Sequence, residues 1–216
     1  MRNDIINALE NEKLIVILRG ITKDKLIPLT EAMYKGGVRL LEITYSANGS
    51  VSDDETAENI KMLCDRFEGR MFIGAGTVLT EHQVELTAKA GGKFIISPDT
   101  NPQVIKKTKE LSLISMPGAL TPTEIVAAHN AGADFVKLFP IDAFGADYVK
   151  AVSAPLSHVK LLAVGGVNLD NIPTYKKLGI AGFGIGSNIT DKKHIETNDF
   201  ESITALAEKY VKLIKE

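Results

Sequence analysis

The stretch TPTEIVAAHNAGADFVKLFP, residues 121–140, contains one complete unit of the fold. It opens on Thr121-Pro122-Thr123-Glu124. There a Thr hydroxyl can accept from the N3 amide, the N3 Glu can accept from the N-cap amide, and proline fills the first helical position. The helix stops at Ala131-Gly132-Ala133, where glycine takes the left-handed turn that side chains resist. Phe135–Phe139 follows, apolar except at Lys137, and reads as a strand buried on both faces.

The same unit recurs on both sides of this stretch. Thr80-Glu81-His82-Gln83 is a second capping box and Ser52-Asp53-Asp54-Glu55 a weaker third. Gly36-Gly37, Gly91-Gly92 and Gly179 stand where further helices would turn into strands. Eight strand candidates result: Lys13–Arg19, Arg39–Tyr45, Met71–Val78, Phe94–Ser97, Leu113–Pro117, Phe135–Phe139, Lys160–Val164 and Gly182–Gly186. Eight such units in 216 residues predict an α/β fold, a single small (β/α)8 TIM barrel over residues 1–216. The first ten or so residues would form an extra N-terminal helix. Residues 199–216 would close the barrel, with Ile203, Leu206, Ala207, Tyr210 and Leu213 on one face. An open doubly wound sheet is the runner-up, but the chain has no dinucleotide fingerprint.

Composition narrows the function classes. With 44% hydrophobic and 24% charged residues the chain can bury a sizeable core. A net charge of −2 leaves no electrostatic footprint for nucleic acid or an anionic membrane surface. Cys64 is the single cysteine, which rules out an intrachain disulfide and points to a reducing compartment. The longest apolar run, Leu14 to Leu18, is far short of the ~20 residues of a membrane span. The opening MRNDIINALENEK lacks the apolar core of a signal peptide. The expectation is a cytoplasmic protein with no nucleic-acid or membrane partner.

In a barrel the C-terminal ends of the strands hold the active site, so charges there stand out. Lys137 sits among Phe, Val, Leu and Phe. Desolvation would lower its pKa from ~10.4, and a neutral amine can form a Schiff base. Glu42, in Leu40-Leu41-Glu42-Ile43-Thr44, shares a strand face with Leu40 and Thr44. Beside a Schiff-base lysine it could shuttle protons. An inert Glu–Lys pair inside the barrel is the alternative for both residues. Arg19 ends the first strand and could clamp a carboxylate or phosphate, or be a rim charge. Lys93 and Lys160, at strand starts, read as solvated rim residues.

Glycines supply the next signal. Gly165-Gly166 ends the seventh strand candidate, and Gly184-Ile185-Gly186-Ser187 the eighth. Glycine turns let backbone N–H groups approach an anion, and the loops after these two strands are the usual phosphate site of a barrel. In Gly74-Ala75-Gly76-Thr77 the glycines permit close backbone approach and the Thr77 hydroxyl is available to a substrate oxygen. His82 and His129 are expected in helices, His158 and His194 in loops. None has a ligand-spaced partner, so no metal site is predicted. Cys64 reads as a core residue of a helix.

Several segments together resemble a known family. ILRG at 17–20, GGVRLLEIT at 36–44, GAGTVLT at 74–80, ISP at 96–98, PGALTPTE at 117–124, VKLFP at 136–140, VGGVN at 164–168 and GIGS at 184–187 are similar to the class I aldolases of 2-keto-3-deoxy-6-phospho sugar acids, the KDPG/KHG type. The resemblance implies that Lys137 is the Schiff-base nucleophile and Glu42 the general acid/base. It implies that Thr77 and Arg19 hold the pyruvyl carboxylate, that Gly165, Gly166, Gly186 and Ser187 hold the phosphate, and that Pro98 is also substrate-binding. Pyruvate and glyceraldehyde 3-phosphate would be the products of a phosphorylated keto acid, from a homotrimer without metal or organic cofactor. Two positions depart from the gluconate-type pattern. Ser46 stands where those members carry an arginine, which leaves Arg19 as the carboxylate contact. Ala163-Val164 stands where they carry Pro-Thr. With Ala143-Phe144-Gly145, the latter leans to the galactonate-type branch. Another phosphate-binding barrel enzyme, an epimerase or isomerase, and a non-catalytic sugar-phosphate binding protein remain as alternatives.

Overall fold

The structure, a computed structural model, describes residues 2–216. The order is α1 (Arg2–Glu12), β1 (Leu14–Leu18), α2 (Lys23–Lys35), β2 (Leu40–Thr44), α3 (Asp53–Arg66), β3 (Phe72–Gly76), α4 (Glu81–Lys89), β4 (Phe94–Ile96) and α5 (Pro102–Glu110). Then come β5 (Ile114–Met116), β6 (Gly118–Ala119), α6 (Pro122–Asn130), β7 (Val136–Leu138), α7 (Gly145–Ser153), β8 (Leu161–Val164), α8 (Ile172–Lys177), β9 (Gly182–Ile185), α9 (Lys192–Glu196) and α10 (Phe200–Lys215). Every strand pairing is parallel, in the order β5-β4-β3-β2-β1-β9-β8-β7-β6.

Nine segments replace the eight strands expected from sequence. The fifth candidate, Leu113–Pro117, gives β5 and stops at Pro117, which has no N–H to give a ladder, and the stave resumes just beyond it as β6, which the sequence reading did not include. β5 pairs with β4 and β6 pairs with β7. The Pro117 carbonyl still accepts from Lys137 N at 2.8 Å, and Ser115 O accepts from Asp134 N at 2.9 Å. Residues 114–119 therefore form one broken barrel stave, and the architecture is the (β/α)8 barrel.

Local chemistry sets the element ends. Thr121 and Glu124 form the full reciprocal capping box. Ser52 and Thr80 accept from the amides of Glu55 and Gln83. The side chain of Gln83, however, accepts from Leu79 N at 2.8 Å and so braces the β3–α4 loop. Gly37, Gly91, Gly132 and Gly179 all have φ between +81° and +100°, the left-handed stops read from the sequence.

Two apolar cores result from the strand alternation. The outer one lies between strands and helices and includes Val16, Leu41, Ile43, Ile73 and Phe183. The inner one fills the barrel with Ile15, Leu40, Phe94, Met116, Phe135 and Leu162, and Ile5 and Leu9 of α1 pack into it. α1 thus plugs the N-terminal end, and Arg2 bonds to Asp134 and to Leu113 O. In α10, Ile203, Ala207 and Tyr210 are buried as expected. Leu206 and Leu213 are half-buried, and Ile214 occupies the inward position instead.

Candidate active site

Inward-facing positions carry the site. Because Leu40 and Phe135 point into the barrel, Glu42 and Lys137, two residues further on, point the same way one layer nearer the C-terminal mouth. β2 and β7 stand on opposite sides of the barrel, with β1, β9 and β8 between them on one arc. Closure of the sheet brings their side chains to the same space. Glu42 is 2% exposed and Lys137 7%, which makes them the deepest charged groups lining the mouth.

Room for the carboxyl comes from β3. Glu42 pairs with Gly74 in register, and a Cβ placed on Gly76 would stand 1.6 Å from Glu42 Oε1. Any side chain at 76 would displace the carboxyl. Gly76→Ala is expected to cost about 1–3 kcal/mol as overpacking and to depress turnover together with stability. A denaturant midpoint and a rate measured on the same variant test this, and an unchanged midpoint with full activity would refute it. Directly after Gly76, Thr77 adopts φ +56°, which is uncommon for a β-branched residue. Its hydroxyl accepts from Arg19 Nη2 at 3.0 Å, joining the ends of β3 and β1.

Burial dominates the electrostatics. It pushes the Lys137 ammonium below the ordinary lysine range, reinforced by Arg19 and opposed by Glu42. It pushes Glu42 above the usual carboxylate range, opposed first by Lys137 and then by Arg19. Both groups are thereby biased towards their uncharged forms. No direct ion pair within 4.0 Å joins them among the described residues. The amine lies 4.4 Å from the Phe139 ring centroid.

At the mouth, β8 and β9 end in two glycine loops. Gly165 and Gly166 have φ of +91° and +75°. The Gly166 carbonyl accepts from Asn171 Nδ2 at 2.9 Å, and Val167 O accepts from Asn188 Nδ2 at 2.7 Å, which ties the two loops together. With their carbonyls occupied, the loops can offer N–H groups to an anion.

A cavity of about 980 Å³ opens at this mouth. Lys137, Glu42, Arg19, Thr77, Pro98, Gly165, Gly166, Gly186 and Ser187, all nine residues singled out in the sequence, line it. Lys25, Asn188 and residues of α9 line it as well, without having stood out in the sequence. A lysine in the first turn of an amphipathic helix reads as solvated, and only the fold turns it inward. His194 belongs to α9, not to a loop. Asp191 caps that five-residue helix by accepting from His194 N, too short a signal to read from periodicity. Cys64 is half-buried against the outer core, where burial raises its thiol to about 11. Among the described residues no group of three or more His, Cys, Asp or Glu could hold a metal ion, and no helix is long and apolar enough to cross a membrane.

Such a mouth on such a barrel defines a barrel enzyme, and the relatives identify its chemistry. The family model for KDPG and KHG aldolase matches residues 5–206. The 2-dehydro-3-deoxy-6-phosphogalactonate aldolase of Escherichia coli K12 is 36% identical over 177 residues, 82% of this chain and 83% of that protein. The 2-dehydro-3-deoxy-phosphogluconate aldolase of Haemophilus influenzae is 31% identical over 214 residues, 98% of this chain and 97% of that protein. A KDPG aldolase of Legionella pneumophila, solved with pyruvate captured as a covalent carbinolamine, superposes with a TM-score of 0.83 at 27% identity and covers 93% of this chain and 95% of that one. The chain belongs to the KDPG and KHG aldolase family. It is a class I aldolase, a carbon–carbon lyase.

Proposed function

We propose that this enzyme cleaves a 2-keto-3-deoxy-6-phospho sugar acid to pyruvate and glyceraldehyde 3-phosphate, with 4-hydroxy-2-oxoglutarate as a further substrate. One observation carries the reading: an amine and a carboxyl, both buried and biased towards neutrality, share one cavity without pairing directly. A tightly paired, inert couple would argue for a silent binding protein.

The roles follow from chemistry. The Lys137 amine adds to the C2 ketone to give a carbinolamine, and loss of water leaves a protonated imine. The substrate's C4 hydroxyl gives up its proton as the C3–C4 bond breaks. That bond's electron pair moves into the enamine, and C4 leaves as the aldehyde of glyceraldehyde 3-phosphate. Protonation of the enamine at C3, assigned to Glu42, and hydrolysis of the imine release pyruvate and regenerate the amine. Arg19 and Thr77 are assigned to the pyruvyl carboxylate. The Arg19–Thr77 bond supports this, because Ser46 is engaged with Asn48 and Ser50. Gly165, Gly166, Gly186 and Ser187 are assigned to the phosphate, and Pro98 to the wall between the two ends.

Val164 supports the galactonate epimer as the better substrate. It lines the cavity and offers no hydrogen bond to a sugar hydroxyl. Pyruvate release from the two 6-phosphate epimers is expected to be faster with the galactonate type, and borohydride with pyruvate is expected to leave an adduct on Lys137. Turnover without an adduct would favour an epimerase or isomerase instead. The whole chain is proposed as a single catalytic domain that works in the cytoplasm as a homotrimer, on the strength of the family resemblance.

A further inference from the structure

We propose that Lys25 is the cation of the cavity's phosphate end and determines the preference for phosphorylated over unphosphorylated keto acids. The inference rests on the aldolase reading above. Its starting point is a shortage of positive charge. The glycine loops and Ser187 offer only neutral donors, whereas a phosphate monoester carries nearly two charges. Asp142 worsens the shortage, because its Cγ and Oδ1 stand 2.3 and 2.8 Å from where a Cβ on Gly166 would be.

Lys25 is placed to correct it. The end of β1 lies beside the end of β9, with Val16 opposite Ile185 in register. The β1–α2 loop and the Gly186-Ser187 loop therefore meet at one edge of the cavity, and Lys25 lines that edge from the first turn of α2. Its side chain is 24% exposed, far less than the 87% of Lys192 on the rim, which is paired with Glu196. The Lys25 ammonium donates to Asn198 Oδ1, a neutral acceptor. Its nearest carboxylate, on the largely exposed Asp24, is 4.0 Å away. Asn198 holds the left-handed turn after α9 at φ +57°. The tether thus fixes the ammonium at the edge without neutralising it, and two of its three N–H donors remain for an anion.

The test compares kcat/KM for a 6-phosphate substrate with kcat/KM for the same sugar acid lacking phosphate. In Lys25→Met this ratio is expected to fall roughly 10- to 100-fold, as for loss of a charge-assisted hydrogen bond. Lys25→Arg should restore most of it. Inhibition by inorganic phosphate should weaken in parallel. Lys23→Met removes the same charge two residues away, where the side chain pairs with Glu58 outside the cavity, and should keep the wild-type ratio. Asn198→Gly keeps the turn but frees the ammonium. It provides a second reading if Lys25→Met does not fold, with an expected loss of about threefold in the ratio. An unchanged ratio in Lys25→Met or Asn198→Gly overturns the proposal, as does an equal fall in Lys23→Met. A wild-type enzyme that releases no pyruvate from either acid overturns the aldolase reading itself, a result distinct from any of these.

Discussion

Lys137→Met is expected to abolish the borohydride-trapped pyruvate adduct and to lower turnover by at least about 10⁴-fold, as removal of a covalent nucleophile does. The fold should survive. Methionine fills nearly the same volume and suits the apolar wall of Phe135, Phe139 and Leu162. Stability at neutral pH should hold or rise. With the folded-state pKa of Lys137 depressed below 10.5, the unfolded chain binds more protons in the window between the two values. Wild-type stability therefore rises with pH through that window, and below it the buried ammonium opposes folding. Methionine removes the opposition. A melting curve and intact-protein mass spectrometry after reduction read both effects. An adduct still mapped to residue 137's peptide, or substantial activity in the variant, would end the Schiff-base assignment.

The second large effect belongs to Glu42. Glu42→Gln keeps the shape and much of the hydrogen bonding but cannot move a proton, and is expected to cost ~10²–10⁴ in turnover. It should also displace the pH profile. Attack requires the free amine, so kcat/KM rises with pH through the Lys137 value. Glu42 holds that value up, against burial and Arg19. Removing its charge lets the value fall further, and the acidic limb should move to lower pH. A simply structural role for Glu42 would lower activity without moving the limb. A limb that moved upward would contradict the electrostatics outright.

Several features were legible because their causes are local. The Thr121 box and the glycine stops depend on a few consecutive residues and came out as read. Lys137 and Glu42 stood out because a charge inside an apolar strand has no local explanation. Three features were not legible. The break comes from the missing N–H of Pro117, and only the pairing of β5 with β4 and of β6 with β7 shows that the stave goes on beyond it. His194 fell in a helix of one turn, below the reach of periodicity. Lys25 looked like any helix-surface lysine, because the loop geometry that brings it to the cavity edge is set by the pairing of β1 with β9, residues far apart in the chain.

The linear chain by itself determined the repeating helix–glycine–strand unit, the barrel class and the identity of the chemically conspicuous residues, because spacing, capping and hydrophobic alternation act over a few residues. Tertiary structure alone decided that Glu42 and Lys137, on opposite staves, share one desolvated space, that Gly76 leaves room for the carboxyl, and that Arg19 meets Thr77. The first of those relations depends on closure of the sheet, the other two on the register of β1, β2 and β3. Closure sums weak pairings across the whole molecule, and no short stretch of residues encodes it.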